Sequence, residues 1–280
     1  MLLPRAILFD LDETLISAYG RPDVAWLAVA AEFSEALAPW SAADIAAAIG
    51  AFSRGFWADA DRHRIWRQKI GEARRLIVAG AFDSLGAGGG PLPAADVLHR
   101  LADRFTAYRD EQMHLFPDAH GVVDGFRALG VRLALVTNGA AEAQRAKIAR
   151  FDLAHRFDHI QIEGEHGFGK PEERAYRHAL QALGIEPAEA WMVGDNLEWE
   201  VAAPQRLGIH AIWVDGTGDG LPPESTIRPD RIIRSVRELL PGAHAAGGGD
   251  AAIGDRSIAA PPCPPRRTSC MIAAGRDRTR

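Results

Sequence analysis

Cysteine is nearly missing from this chain: Cys263 and Cys270, the only two, both fall within the last eighteen residues. The expected core therefore contains none, no disulfide framework holds it, and a reducing cytoplasm fits. Long apolar runs are missing too, which excludes a bilayer-spanning helix. The apolar start at Met1 is broken by Pro4, Arg5, Asp10 and Asp12 before it can form a secretory h-region. Nor is there an excess of positive charge. A formal net charge of -5 with mixed signs gives no electrostatic footprint for nucleic acid or an anionic membrane. What remains is a chain of 280 residues, 47% hydrophobic, able to bury a core in one large domain or two modest ones.

Short β-branched runs alternate with helical patterns after residue 116, the signature of βαβ units around a doubly wound parallel sheet. Strands are predicted at 5–9, 132–136, 159–162, 190–193, 210–214 and 231–233. Helices are predicted at 121–129, 141–150, 172–183 and 198–207. Residues 16–115 differ, being rich in Ala, Trp and Arg with helical spacing. Leu27, Ala30, Ala31 and Ser34 suit one helical face, and Ile70, Ala73, Arg74 and Ile77 another. This segment reads as a helical domain inserted after the first strand, between core segments 1–15 and 116–241. The stretch 86–93, GAGGGPLP, reads as a loop within it. Residues 242–280, rich in Gly, Pro and Ala, read as a disordered tail.

Ligands of such sheets bind beyond the carboxyl ends of the strands, and that is where the polar residues gather. AILFDLDETL at 6–15 puts Asp10 and Asp12 two positions apart, on one side of an extended chain. Two neighbouring carboxylates need a cation or a shared proton. Thr137, Asn138 and Gly139 follow the next core strand, Lys170 sits in GFGKPEERAY, and Asp195 and Glu200 follow in VGDNLEWE. A carboxylate can attack a phosphate ester only where a cation screens both, and Mg²⁺, satisfied by one or two carboxylates, suits that task. Thr137 and the N–H groups of Asn138 and Gly139 suit phosphate oxygens at a helix N-terminus, and Lys170 would offset charge on Asp10 and the phosphoryl group.

In order and context, these four motifs resemble the haloacid dehalogenase-like (HAD) superfamily over residues 5 to about 240, and the inserted segment resembles that family's helical cap. The resemblance implies Asp10 as nucleophile forming an aspartyl-phosphate, Asp12 as acid/base with its carbonyl as a metal ligand, and Asp10 and Asp195 as metal carboxylates. Glu200 stands where the family usually has Asp and is assigned to metal support, although on its own it reads as a solvated helix residue. Asn196 and Glu198 are expected to hydrogen-bond around that metal, and Thr14 to hold the loop carrying Asp12. The implied activity is a Mg²⁺-dependent phosphatase of a sugar phosphate or nucleoside monophosphate, with no nucleic-acid or membrane partner. A phosphomutase, or a non-catalytic module phosphorylated on aspartate, are the alternatives. In the cap, Arg64 and Arg67 near Trp57 and Trp66 read as an amphipathic helix, and His63 as a boundary residue.

Overall fold

The computed structural model describes residues 3–87 and 89–240. The chain enters on β1 (Ala6–Phe9), makes the short strand β2 (Ile16–Ser17), and runs through five helices: α1 (Pro22–Glu32), α2 (Ala42–Ala58), α3 (Ala60–Trp66), α4 (Ile70–Gly86) and α5 (Ala95–Gln112). It returns on β3 (His114–Leu115) and then alternates: α6 (Ala119–Ala128), β4 (Arg132–Thr137), α7 (Ala141–Arg150), β5 (His159–Ile162), α8 (Glu163–His166), α9 (Glu173–Leu183) and β6 (Ala190–Gly194). A π-helical turn, Leu197–Ala202, runs into α10 (Ala203–Arg206), followed by β7 (His210–Val214) and β8 (Arg231–Ile233). The tail expected over 242–280 lies outside the described residues.

The six predicted core strands are all present, each within one residue of its expected ends, and form one parallel sheet in the order β5-β4-β1-β6-β7-β8. Strands β1 and β6 are buried at every residue, which is why both read as unbroken apolar runs. Alternate side chains serve opposite faces. Ile7, Phe9 and Leu135 pack with Val122 and Phe126 of α6, while Leu8, Val136 and Met192 pack with Tyr176 and Leu180 of α9.

The helix expected over 198–207 is instead the π-helical turn and α10. Pro204 has no N–H to donate to the carbonyl four residues back, and a wider turn relieves that misfit.

Helices α1 to α5 bury a cluster of their own, including Val29, Ile49, Ile77, Phe82 and Leu101. Its rings interlock: Trp26 stacks on Phe105 at 3.6 Å between centroids, and Trp40 meets Phe82 edge-on at 5.6 Å. The face expected for α1 is corrected here, since Leu27, Ala31 and Ser34 are exposed while Ala25, Trp26, Val29 and Ala30 are buried. With small apolar residues all round α1, spacing does not choose a face, and Trp26 does. Strands β2 and β3 pair antiparallel, Ile16 with Leu115 and Ser17 with His114, so the helical segment leaves and rejoins the sheet at one place. Among the described residues, no helix is long and apolar enough to cross a membrane.

Phe82 is fully buried at the centre of this helical cluster, and Phe82→Ala is expected to cost about 3–5 kcal/mol. Urea denaturation followed by circular dichroism checks this; a loss below about 1 kcal/mol would show that the cluster is not what holds these helices.

Candidate active site

Parallel register sets the site. Phe9 lies opposite Leu135 and Val193, so Asp10, Thr137 and Asp195 emerge together at the carboxyl edge of the sheet, with the Asp10 N–H tied to the Val193 carbonyl at 2.9 Å. Lys170 is fully buried. Its Nζ lies 2.5 Å from Asp10 Oδ1 and 2.7 Å from Glu200 Oε1. The Asn138 side chain fixes this lysine from behind: Nδ2 donates to the Lys170 carbonyl at 2.7 Å, and Oδ1 accepts its backbone N–H at 2.9 Å. Thr14 donates to Asp10 Oδ2 at 3.3 Å, so it touches Asp10 itself.

Asp12 is held by two residues that sequence reasoning passed over. Lys147 Nζ lies 2.8 Å from both of its oxygens, and Gln144 Nε2 donates to Oδ2 at 3.1 Å. The same amide contacts Thr137 Oγ1 at 2.9 Å and the Asn138 carbonyl at 2.5 Å. The available signal was spacing: Gln144 and Lys147 stand three apart on α7, hence on one helical face, directly after the Thr137 motif.

Several expectations change. Glu200 is not solvated: it is 1% exposed, because Lys170 and the Asn196 N–H, at 2.8 Å from Oε2, engage both of its oxygens. Glu198 does not join the site, pairing with Arg206 on the surface. Asn196 caps the π-helical turn, its Oδ1 accepting from the Glu198 and Trp199 N–H groups. The Gly139 N–H, expected to face phosphate, donates to Glu163 Oε2 at 3.0 Å. Glu163 in turn holds Arg67 of the helical segment in a buried bidentate pair. His63 packs edge-on against Trp199, so Arg67, Trp57 and His63 border the site, whereas Arg64 stays exposed and Trp66 packs in the helical cluster.

Three carboxylates, those of Asp10, Asp195 and Glu200, interact around one ammonium. Burial pushes Asp10 up against the pull of Lys170. Burial opposes the charge on Lys170, yet Asp10 and Glu200 together hold it above the ordinary lysine range. Burial raises Glu200 to about 7 despite Lys170, and burial followed by repulsion from Asp10 and Glu200 raises Asp195 to about 8. The Asp195 carboxylate makes no hydrogen bond or ion pair among the described residues. A free carboxylate beside a crowded one is a donor set that fits Mg²⁺, which keeps most of its waters. No ready-made cage of three His, Cys, Asp or Glu side chains occurs among the described residues.

A pH dependence follows. Asp195 rises from 3.8 to about 8 on folding, so the folded chain holds a proton that the unfolded chain has lost, and stability falls as pH rises between those values. In chelator, Tm is expected to drop from pH 5 to pH 8, and Asp195→Asn to flatten that drop. Calorimetry across the range checks this, and an unchanged slope in the variant would overturn it.

Asp10, Asp12, Thr137, Lys170 and Asp195 all border one cavity of about 600 Å³, within the range of small-molecule sites. Residues 4–208 match the family model of the haloacid dehalogenase-like hydrolases. Phosphoserine phosphatase of Thermus thermophilus is 37% identical over 186 residues, 66% of each chain. N-acylneuraminate-9-phosphatase of Rattus norvegicus is 36% identical over 110 residues, 39% of this chain and 44% of that one. The chain thus spans less than two thirds of the length of the curated relatives it matches. In fold it is similar to the magnesium-bound HAD hydrolase YfnB of Bacillus subtilis, with a TM-score of 0.62 and 21% identity over 85% of this chain and 97% of that one.

Proposed function

The chain belongs to the haloacid dehalogenase-like hydrolase family, and on that premise we propose that it is a Mg²⁺-dependent phosphatase of a small phosphorylated metabolite. One observation carries the reading: a second carboxylate, Asp12, is held by Lys147 and Gln144 in the cavity that also receives Asp10. Displacement at carbon with a halide leaving group needs no second acid. Expulsion of an alkoxide does.

In this mechanism the Asp10 carboxylate attacks phosphorus as the ester P–O bond breaks, and Asp12 gives its proton to the leaving oxygen. Asp12 then takes a proton from the water that attacks the aspartyl-phosphate, which releases phosphate and restores Asp10. Lys170 offsets charge on Asp10 and on the transferring group. Thr137 Oγ1, already hydrogen-bonded to Gln144, offers a donor to a phosphoryl oxygen. When bound by the Asp10 and Asp195 carboxylates and the Asp12 carbonyl, Mg²⁺ supplies Lewis-acid screening of phosphoryl charge. Glu200 supports Lys170 rather than the metal. Helices α1 to α5 serve as a cap that closes the cavity against bulk water.

Asp10→Asn is expected to abolish chelator-sensitive phosphate release while leaving the circular dichroism spectrum intact; retained release would falsify the nucleophile. Asp12→Asn is expected to lower kcat about 10²- to 10⁴-fold on an alkyl phosphate, and far less on p-nitrophenyl phosphate, whose leaving group needs no proton. Equal losses on both esters would remove Asp12 from the acid role.

A further inference from the structure

Five lysine and arginine side chains border the cavity: Arg67, Arg74, Arg109, Lys147 and Lys170. Three are neutralised by the protein, Arg67 by Glu163, Lys147 by Asp12, and Lys170 by Asp10 and Glu200. Arg74 of α4 and Arg109 of α5 form no ion pair with any carboxylate of the described residues. Arg109 is only 8% exposed and gives one N–H to the Ala18 carbonyl. Arg74 gives one N–H to Thr106 Oγ1 at 2.9 Å. Both guanidinium carbons lie 5.6 Å from the centre of the Phe105 ring, which is stacked on Trp26.

Two like charges brought together away from water are a costly arrangement; Asp110 acts favourably on both, and Glu13 and Asp12 on Arg109, but none of the three forms an ion pair with either arginine. Burial and the neighbouring Arg109 pull Arg74 down to about 10, and burial lowers Arg109 as well; an arginine in a protein keeps its charge at neutral pH. Each has N–H donors left over, and a guanidinium fork matches a planar carboxylate in shape as well as charge. The aromatic support and the hydrogen bonds to Thr106 and Ala18 hold the pair in place before any ligand arrives.

We propose that Arg74 and Arg109 bind a carboxylate of the substrate, so that the enzyme acts on phosphomonoesters carrying a carboxylate at the end remote from the ester. The proposal rests on the phosphatase reading above and narrows it: a nucleoside monophosphate has no second anionic group for this pair, whereas an acidic sugar phosphate or a phosphorylated hydroxy or amino acid does. The phosphoryl group lies at the sheet edge and the carboxylate at the cap.

O-phospho-L-serine and O-phosphoethanolamine differ by the carboxylate alone. The wild-type enzyme is expected to favour the first in kcat/KM by about 10- to 100-fold, the worth of charge-assisted hydrogen bonds. Arg74→Gln should bring that ratio close to one, and Arg74→Lys, which keeps the charge and loses the fork, should leave it in between. A ratio near one in the wild type would overturn the proposal, as would an Arg74→Gln enzyme that loses both substrates together at an unchanged ratio. A stronger, Arg74-dependent preference for fructose 1,6-bisphosphate over fructose 6-phosphate would overturn the carboxylate in favour of a second phosphate. Turnover of p-nitrophenyl phosphate tests the underlying phosphatase reading separately. If that substrate too is inert, thermal shift decides the proposal: extra stabilisation by phosphoserine over phosphoethanolamine that disappears in Arg74→Gln supports it, and equal shifts overturn it.

Discussion

The buried ammonium of Lys170 is the interaction on which the rest of the site depends. An ammonium taken out of water without partners is prohibitively unfavourable, and removing one partner of a buried pair leaves an uncompensated charge. Asp10 and Glu200 supply the partners at 2.5 and 2.7 Å, and much of the surrounding chain is arranged to let them do so. Asn138 fixes the lysine's backbone on both sides. Gly194 lies directly against Glu200, and a Cβ there would collide with that side chain, so only glycine at the end of β6 lets the carboxylate reach inward. The π-helical turn carries Glu200 to this position. A glutamate in place of the family's usual aspartate is thus the residue that spans the gap from the turn to Lys170.

Much of this was legible in the sequence. Central parallel strands are buried on both faces, so β1 and β6 announced themselves as apolar runs, and the motifs at the ends of β1, β4 and β6 carry Asp10, Thr137 and Asp195, which the register sets beside one another. The environment of each residue was less legible. Glu200 looked solvated because a helix leading away from a sheet usually presents glutamates to water, and nothing in the local pattern announces an ion pair to a residue thirty positions earlier. Gln144 and Lys147 were hidden for the same reason: their importance comes from Asp12, more than 130 residues away. In α1 the Ala-rich sequence pointed to the face of Leu27, Ala30, Ala31 and Ser34, and the stacking of Trp26 on Phe105, a long-range contact, decided for another.

The helical segment meets the sheet at the two strand ends that carry the candidate site. Arg67 reaches Glu163, whose other contact is the Gly139 N–H just beyond Thr137. His63 and the Arg67 guanidinium both lie against the ring of Trp199, the residue next to Glu200. The position of the cap is therefore coupled to the loop after β4 and to the π-helical turn after β6, while the β2 and β3 ribbon ties its two chain ends together. The cavity has two poles. Its floor carries the carboxylates of Asp10, Asp12 and Asp195 with their lysines, and its roof carries the two arginines that form no ion pair among the described residues. A ligand with a single charge can satisfy one pole only. On the carboxylate proposal, a ligand charged at both ends would engage both, with Trp57, Ile77 and Phe105 among the cavity's walls, and the charge pattern would then select for the length of the substrate as well as for its groups.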